Sequence, residues 1–267
     1  MQFPRGVILK EKVGGECMIE LLTEDYLKIS GSYGGNQGWF KDDQFSHDDE
    51  INYGGCGLIA MADYLLYLSL ADHQLAKSLP GLVKPQQLKG ATYEMFVKSL
   101  YYKYLKPWRN PLFSPKKYQK DANFVLGIQG WQLKKGLNRY FKQSQSQRRV
   151  KFISLKNHKH KISQIIKKEL QENRPVPLIV GPNKSEFPKG LKFIGRKQGM
   201  LVNSIGGKEA GKVIDITAHW VMITKYEKDY ESEIEKITIS SWGKMYEVEL
   251  KRFLEQSDWI SGIIQAR

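Results

Sequence analysis

The sequence predicts an α+β fold, in which a helical first half leads into a strand-rich second half. Two observations carry this. From Cys56 the chain reads CGLIAMADYLLYLSLADHQLAK, and Ile59, Ala62, Leu65, Leu66 and Leu68 build a broad apolar helix surface. The final third alternates instead, with strands expected at 218–226, 236–241 and 245–250. Gly243 supplies a turn, VELKRFLEQ a short helix and WISGIIQ a closing strand. Strand–helix units do not repeat, which argues against a doubly wound parallel sheet.

The other elements follow in order. VILK and CMIELL read as short strands. The stretch GSYGGNQGWFKDDQFSHDDEINYGG is rich in Gly, Asn and Asp and reads as an ordered loop, with Tyr33, Trp39 and Phe45 as anchors. Gly54 and Gly55 allow a sharp backbone approach just before the Cys56 helix. A second helix is expected at 92–105, after which PWRNPLFSP breaks the periodicity. A third is expected at 130–141, then a polar turn in QSQSQ and a strand, VKFISL, from Val150. Ile162, Ile165, Ile166 and Leu170 mark an amphipathic helix at 161–172, ended by Pro175 and Pro177; VPLIVG resumes as a strand. The Gly- and Lys-rich piece 182–212 reads as an excursion or hairpin. No segment looks like a detached linker, so one domain is expected over 1–267, its helical half about 50–175 and its strand-rich half about 176–267.

Composition bounds the function. The 267 residues are 41% hydrophobic and include six Trp, fourteen Tyr and eleven Phe, enough for a substantial core. The start lacks the apolar run of a secretory signal, which favours a cytoplasmic location and leaves secretion open if the sequence is a processed form; no run of 18 apolar residues predicts a transmembrane helix. Two cysteines, Cys17 and Cys56, exclude a disulfide-stapled scaffold and a Cys-rich zinc site. The net charge is +14, and between Lys134 and Arg174 thirteen basic residues stand against two acidic ones. Such a field attracts an acidic partner or nucleic acid, or serves as a solvated face. Aromatic residues are not interleaved with the charge and no nucleic-acid motif occurs, so nucleic acid is disfavoured. With no G-x-S-x-G elbow, Walker loop or H-E-x-x-H helix, no cofactor or metal is expected. GSYGGNQG lacks the strand-to-helix context of a phosphate loop.

Cys56 lies between glycines in YGGCG and opens the most apolar helix. There a thiolate meets exposed N–H groups and the positive end of the helix dipole, and the same groups can receive an oxyanion. On these grounds alone a catalytic thiolate and a buried structural cysteine fit equally. His219 starts the strand AHWVMITKY, where an imidazole can project into a cleft. His47, His73, His158 and His160 sit in polar settings and read as surface residues.

These segments resemble known ones. GGCGLIAMADYL is similar to the nucleophile segment of the papain-like cysteine peptidase superfamily, in its bacterial bacteriocin-processing branch. AHWVMITKY resembles the histidine strand of those enzymes, and ISSWGKMYEVEL their Asn-Ser-Trp-Gly hairpin. The likeness runs from about Tyr53 to the C-terminus and is thin between Ala71 and Lys212. It implies a papain-like fold with an N-terminal catalytic helix and a C-terminal antiparallel sheet. It also implies a cysteine peptidase or amidase, with Cys56 as nucleophile and His219 as base, working through an acyl-enzyme on a peptide, a protein or a peptidoglycan stem.

The matching orienting position is Ser240, where the family places Asn or Asp; Asp215 is the alternative, and Trp242 is expected to shield the contact. A serine hydroxyl reaches less far than a carboxamide and carries no charge. The family's oxyanion glutamine has no counterpart at its usual spacing. Asn52, four residues upstream of Cys56, is the nearest amide; Gln37 and Gln44 remain open if the loop folds back. These departures motivate a second reading, a catalytically weak papain-like protein whose groove binds a peptide or protein.

Overall fold

The computed structural model describes residues 8–12, 16–21, 26–40, 48–80, 88–108, 127–181, 191–197, 200–201, 213–216, 218–256 and 260–267. The chain begins with β1 (Ile8–Lys12), β2 (Glu16–Glu20), β3 (Lys28–Ile29) and β4 (Ser32–Tyr33). A single 3-10 turn, Gln37–Trp39, precedes the helices α1 (Asp48–Gly54), α2 (Cys56–Ser69), α3 (His73–Ser78), α4 (Gly90–Lys103) and α5 (Gly130–Gln143). Then come β5 (Val150–Ser154), α6 (Leu155–Gln171), β6 (Val176–Val180), β7 (Leu191–Lys197), β8 (Met200–Leu201) and β9 (Val213–Ile216). The chain closes with β10 (His219–Asp229), β11 (Glu235–Ser241), β12 (Lys244–Glu249), α7 (Leu250–Gln256) and β13 (Gly262–Ala266).

Eleven of these strands make one sheet, in the order β5-β13-β6-β10-β11-β12-β7-β8, with β9 also on β7 and the β1–β2 hairpin joined through β2 to β10. Every pairing in it is antiparallel. The fold is therefore α+β, as the patterning predicted, and its sheet is antiparallel. The sheet draws on both halves of the chain, because β2 and β5 come from the first.

β10 is its central element. Its first five residues pair with β6, its last five with β2, and its other edge runs along β11. Six consecutive residues from His219 to Thr224 are buried, so this part of the strand is covered on both faces. Helices α2 and α6 both pack against it. α2 is buried at every position from Gly57 to Ser69, which explains its apolar composition: it is a core helix rather than an amphipathic surface one. The Trp220 indole N–H donates to the Ile128 carbonyl at 2.6 Å, tying the strand to the segment leading into α5.

The structure corrects three boundaries. The stretch read as loop up to Gly55 ends in α1, whose Asp48, Asp49 and Glu50 lie at its start, where carboxylates favour a helix. The apolar helix from Cys56 stops at Ser69; Asp72 then caps α3 by accepting the Gln74 and Leu75 N–H groups. The helix expected at 161–172 begins six residues earlier, at Leu155, capped by Ser154 and interrupted by a non-helical His158. Of the expected hairpin at 182–212, β7 and β8 pair as one; the rest lies outside the described residues, as does Phe45.

Trp220→Phe keeps the ring but leaves the Ile128 carbonyl without its donor. We expect a loss of about 1–3 kcal/mol in urea unfolding. An unchanged midpoint would show that this bond contributes nothing to the sheet–helix junction.

Candidate active site

Cys56 opens α2 after a one-residue break at Gly55. A Cβ at Gly55 would collide with the Ile51 backbone, and one at Gly57 would press on Ile128 at 2.7 Å. Both glycines flanking Cys56 are thus required by close packing against α1 and the 127–129 segment. Cys56, Ile59, Ala60 and Asp63 recur at helical spacing and line one cleft. Gln37, Ser240, Ser241, Trp242 and the first four residues of β10, starting at His219, complete its wall.

His219 is 7% exposed. Its Nε2 lies 2.7 Å from Ser241 Oγ, and its ring stacks on the Trp242 indole with centroids 4.1 Å apart and planes within 14°. Nδ1 has no hydrogen-bond partner among the described residues. Trp242 and Gly243 form the two-residue turn between β11 and β12, and both have positive φ, 48° and 71°. Glycine adopts this readily; for tryptophan it costs about 1–2 kcal/mol. The stack on His219 is the contact that this strained backbone sets up.

The strand register explains which serine meets the imidazole. Met222 is paired with Ser240, so Ser241 lies across from Val221, and Val221 shares a sheet face with His219. Ser240 points the other way: its hydroxyl donates to the Tyr33 carbonyl at 2.8 Å. The serine within hydrogen-bond reach of the imidazole is therefore Ser241, one residue on from the expected Ser240. Asp215 is in β9, and its side chain lies outside the described residues.

The 33–37 loop is fastened over this hairpin. Tyr33 N–H donates to the Gly243 carbonyl and Gly243 N–H to the Gly35 carbonyl, each at 2.9 Å. Gly34, at φ 75°, has no room for a side chain, because a Cβ would collide with Ser240 Oγ and crowd the Asp63 carboxylate at 2.6 Å. This packing delivers Gln37 to the cleft. Its Nε2 donates to the Asn52 carbonyl at 2.8 Å, while its Oε1 is buried without a hydrogen-bond partner. Asn52 does not line the cleft; its backbone serves as Gln37's anchor. Gln44 and His47 lie outside the described residues.

Asp63 is the residue that sequence reasoning missed. It is buried on α2, seven residues after Cys56, and accepts the Gly35 N–H at 3.0 and 3.2 Å and the Tyr93 hydroxyl at 2.7 Å. The signal was available: a lone carboxylate in an otherwise apolar helix, on the face that Cys56 starts.

Burial dominates the electrostatics. It raises the Cys56 thiol above its ordinary value, outweighing the backbone N–H groups of Trp220, Gly57 and Cys56 that favour the thiolate. The depression expected at a helix N-terminus is therefore reversed. Burial also lowers His219 from 6.5 to about 3. It raises Asp63 from 3.8 to about 7, against the Gly35 N–H and the Tyr93 hydroxyl. At neutral pH the thiol and imidazole are both uncharged. No residue of the 134–174 basic segment lines the cleft. Among the described residues no group of three His, Cys, Asp or Glu side chains could hold a metal ion, and no helix is long and apolar enough to cross a membrane.

His219 and Asp63 affect stability in opposite directions. Below pH 6.5 the unfolded chain gains a proton that folded His219 refuses until about pH 3, so acidification favours unfolding. Folded Asp63 holds a proton up to about pH 7 that the unfolded chain loses near 3.8, so acidification favours folding. We expect Asp63→Asn to lose stability between pH 6.5 and 4.5 relative to wild type, and His219→Gln to gain it, each by about 2 kcal/mol over this window. Urea unfolding at the two pH values checks this; wild-type slopes in both variants would refute the burial account.

No protein-family model matches the chain, and no curated protein matches it, so the functional reading rests on the geometry of this cleft.

Proposed function

We propose that the protein is a papain-like cysteine hydrolase, a peptidase or amidase that works through a thioester acyl-enzyme. The observation that carries this is the His219 environment: a buried imidazole, held at Nε2 by Ser241 and stacked under Trp242, in the same cleft as a cysteine that opens a buried helix. With the proton on Nε2 donated to Ser241, Nδ1 is left as the basic nitrogen. The α+β order, with the cysteine helix ahead of β5 to β13 of the antiparallel sheet, supports the same superfamily.

In this reading Nδ1 of His219 takes the Cys56 proton as sulfur attacks the substrate carbonyl carbon. The oxyanion receives the Cys56 backbone N–H and the second Nε2 proton of Gln37, whose first is committed to Asn52. Collapse breaks the C–N bond, and His219 returns its proton to the departing amine. A water then attacks the thioester, with His219 again as base; the C–S bond breaks, the acid product leaves and His219 returns the proton to the Cys56 sulfur. Because both partners rest uncharged, proton transfer accompanies attack rather than preceding it.

The second reading is a weakly catalytic protein that binds a peptide or protein partner. The observations that favour it are the serine orienter, which brings no charge to stabilise an imidazolium, and the raised Cys56 thiol. Intact-mass analysis with iodoacetamide and an electrophilic peptide, resolved between Cys56 and Cys17, separates the two. We expect Cys56 to form the acyl adduct and its alkylation to rise with pH, without the acid-side plateau of a preformed ion pair. His219→Ala should slow adduct formation at least about a hundredfold. Ser241→Ala should slow it up to about tenfold and Ser240→Ala should leave it near wild type. Absence of any Cys56-dependent adduct would overturn the hydrolase reading.

A further inference from the structure

A second cavity, of about 200 Å³, shares no lining residue with the Cys56 cleft. It lies where α2, α5, α6, β5 and β13 meet, and five cationic side chains and two carboxylates line it. The carboxylates are already engaged. Arg174 Nε donates to Glu169 at 2.7 Å, and its Nη1 pairs with Glu172. Arg148 is held by Asp72, also at 2.7 Å.

Three cations remain. Arg149 donates only to the Ser146 and Arg148 carbonyls, and Lys168 and Arg267 have no carboxylate partner among the described residues. A side chain on the buried helix points to the same ligand chemistry. Tyr64 is 1% exposed and lines this cavity, yet its hydroxyl has no hydrogen-bond partner among the described residues. Burial, and then the charge of Glu169, raise its pKa, so it stays protonated and can donate to an acceptor that enters the cavity.

We propose that this cavity binds a small oxyanion of the phosphate type, free or as a monoester, with Tyr64 donating from its floor and Arg149, Lys168 and Arg267 from its rim. Three cations and one neutral donor suit a tetrahedral dianion, whose several oxygens can be shared among them. The volume admits such a group. The site gives the basic segment 134–174 a local role, since Arg149 and Lys168 come from it, and it is independent of the hydrolase reading.

Calorimetric titration of the full chain with inorganic phosphate, and separately with glycerol phosphate, tests this against sodium chloride of equal ionic strength. Binding of one equivalent by wild type is expected, and the tighter of the two probes tells whether the free or the esterified anion is preferred. Tyr64→Phe, which keeps the buried ring, should weaken it about tenfold, and the exposed pair Arg149→Gln and Lys168→Gln at least as much. Circular dichroism confirms that the variants fold. No binding beyond the chloride control, or binding that survives both sets of substitutions undiminished, would overturn the proposal.

Discussion

The pairing of β11 with β10 is the constraint on which the candidate site depends. Because Met222 meets Ser240, Ser241 comes round to the His219 face and Ser240 is turned toward the 33–37 loop. The same register closes the hairpin with only Trp242 and Gly243 between the strands, which forces Trp242 to positive φ and brings its indole over the imidazole. A slip of one residue would exchange both faces and dissolve all of these contacts together.

The loop and the hairpin support each other. Gly243 and Ser240 hold the backbone at 33–35, while Asp63 holds Gly35 from the helix side. Gln37 follows two residues later and reaches the cleft next to Cys56. One buried carboxylate thus connects the helix that bears the thiol to the loop that bears the amide. Hydrogen bonds to a backbone N–H and to Tyr93 offset part of its desolvation; burial still leaves it titrating near neutrality.

Burial shapes the chemistry more than the helix dipole does. An exposed thiol at a helix N-terminus ionises easily, but Cys56 is half-buried beside Ile59, Ala60 and the start of β10, and desolvation penalises both its thiolate and the His219 cation. Tyr64, eight residues along α2, lines a separate cationic cavity.

The sequence by itself determined most of the elements and singled out the two candidate side chains. Apolar spacing marked α2, α4 and α5, alternation marked β10 to β12, and the YGGCG and AHWV contexts singled out Cys56 and His219, because these are local properties of 4 to 20 residues. α1 was hidden by its Asp- and Gly-rich composition, which suits a loop as well as a short acidic helix start. Only the tertiary structure decided between Ser240 and Ser241, between Asn52 and Gln37, and brought out Asp63. Strand register and loop closure join residues up to 207 positions apart, as Tyr33 to Ser240, and no local pattern encodes which faces then meet.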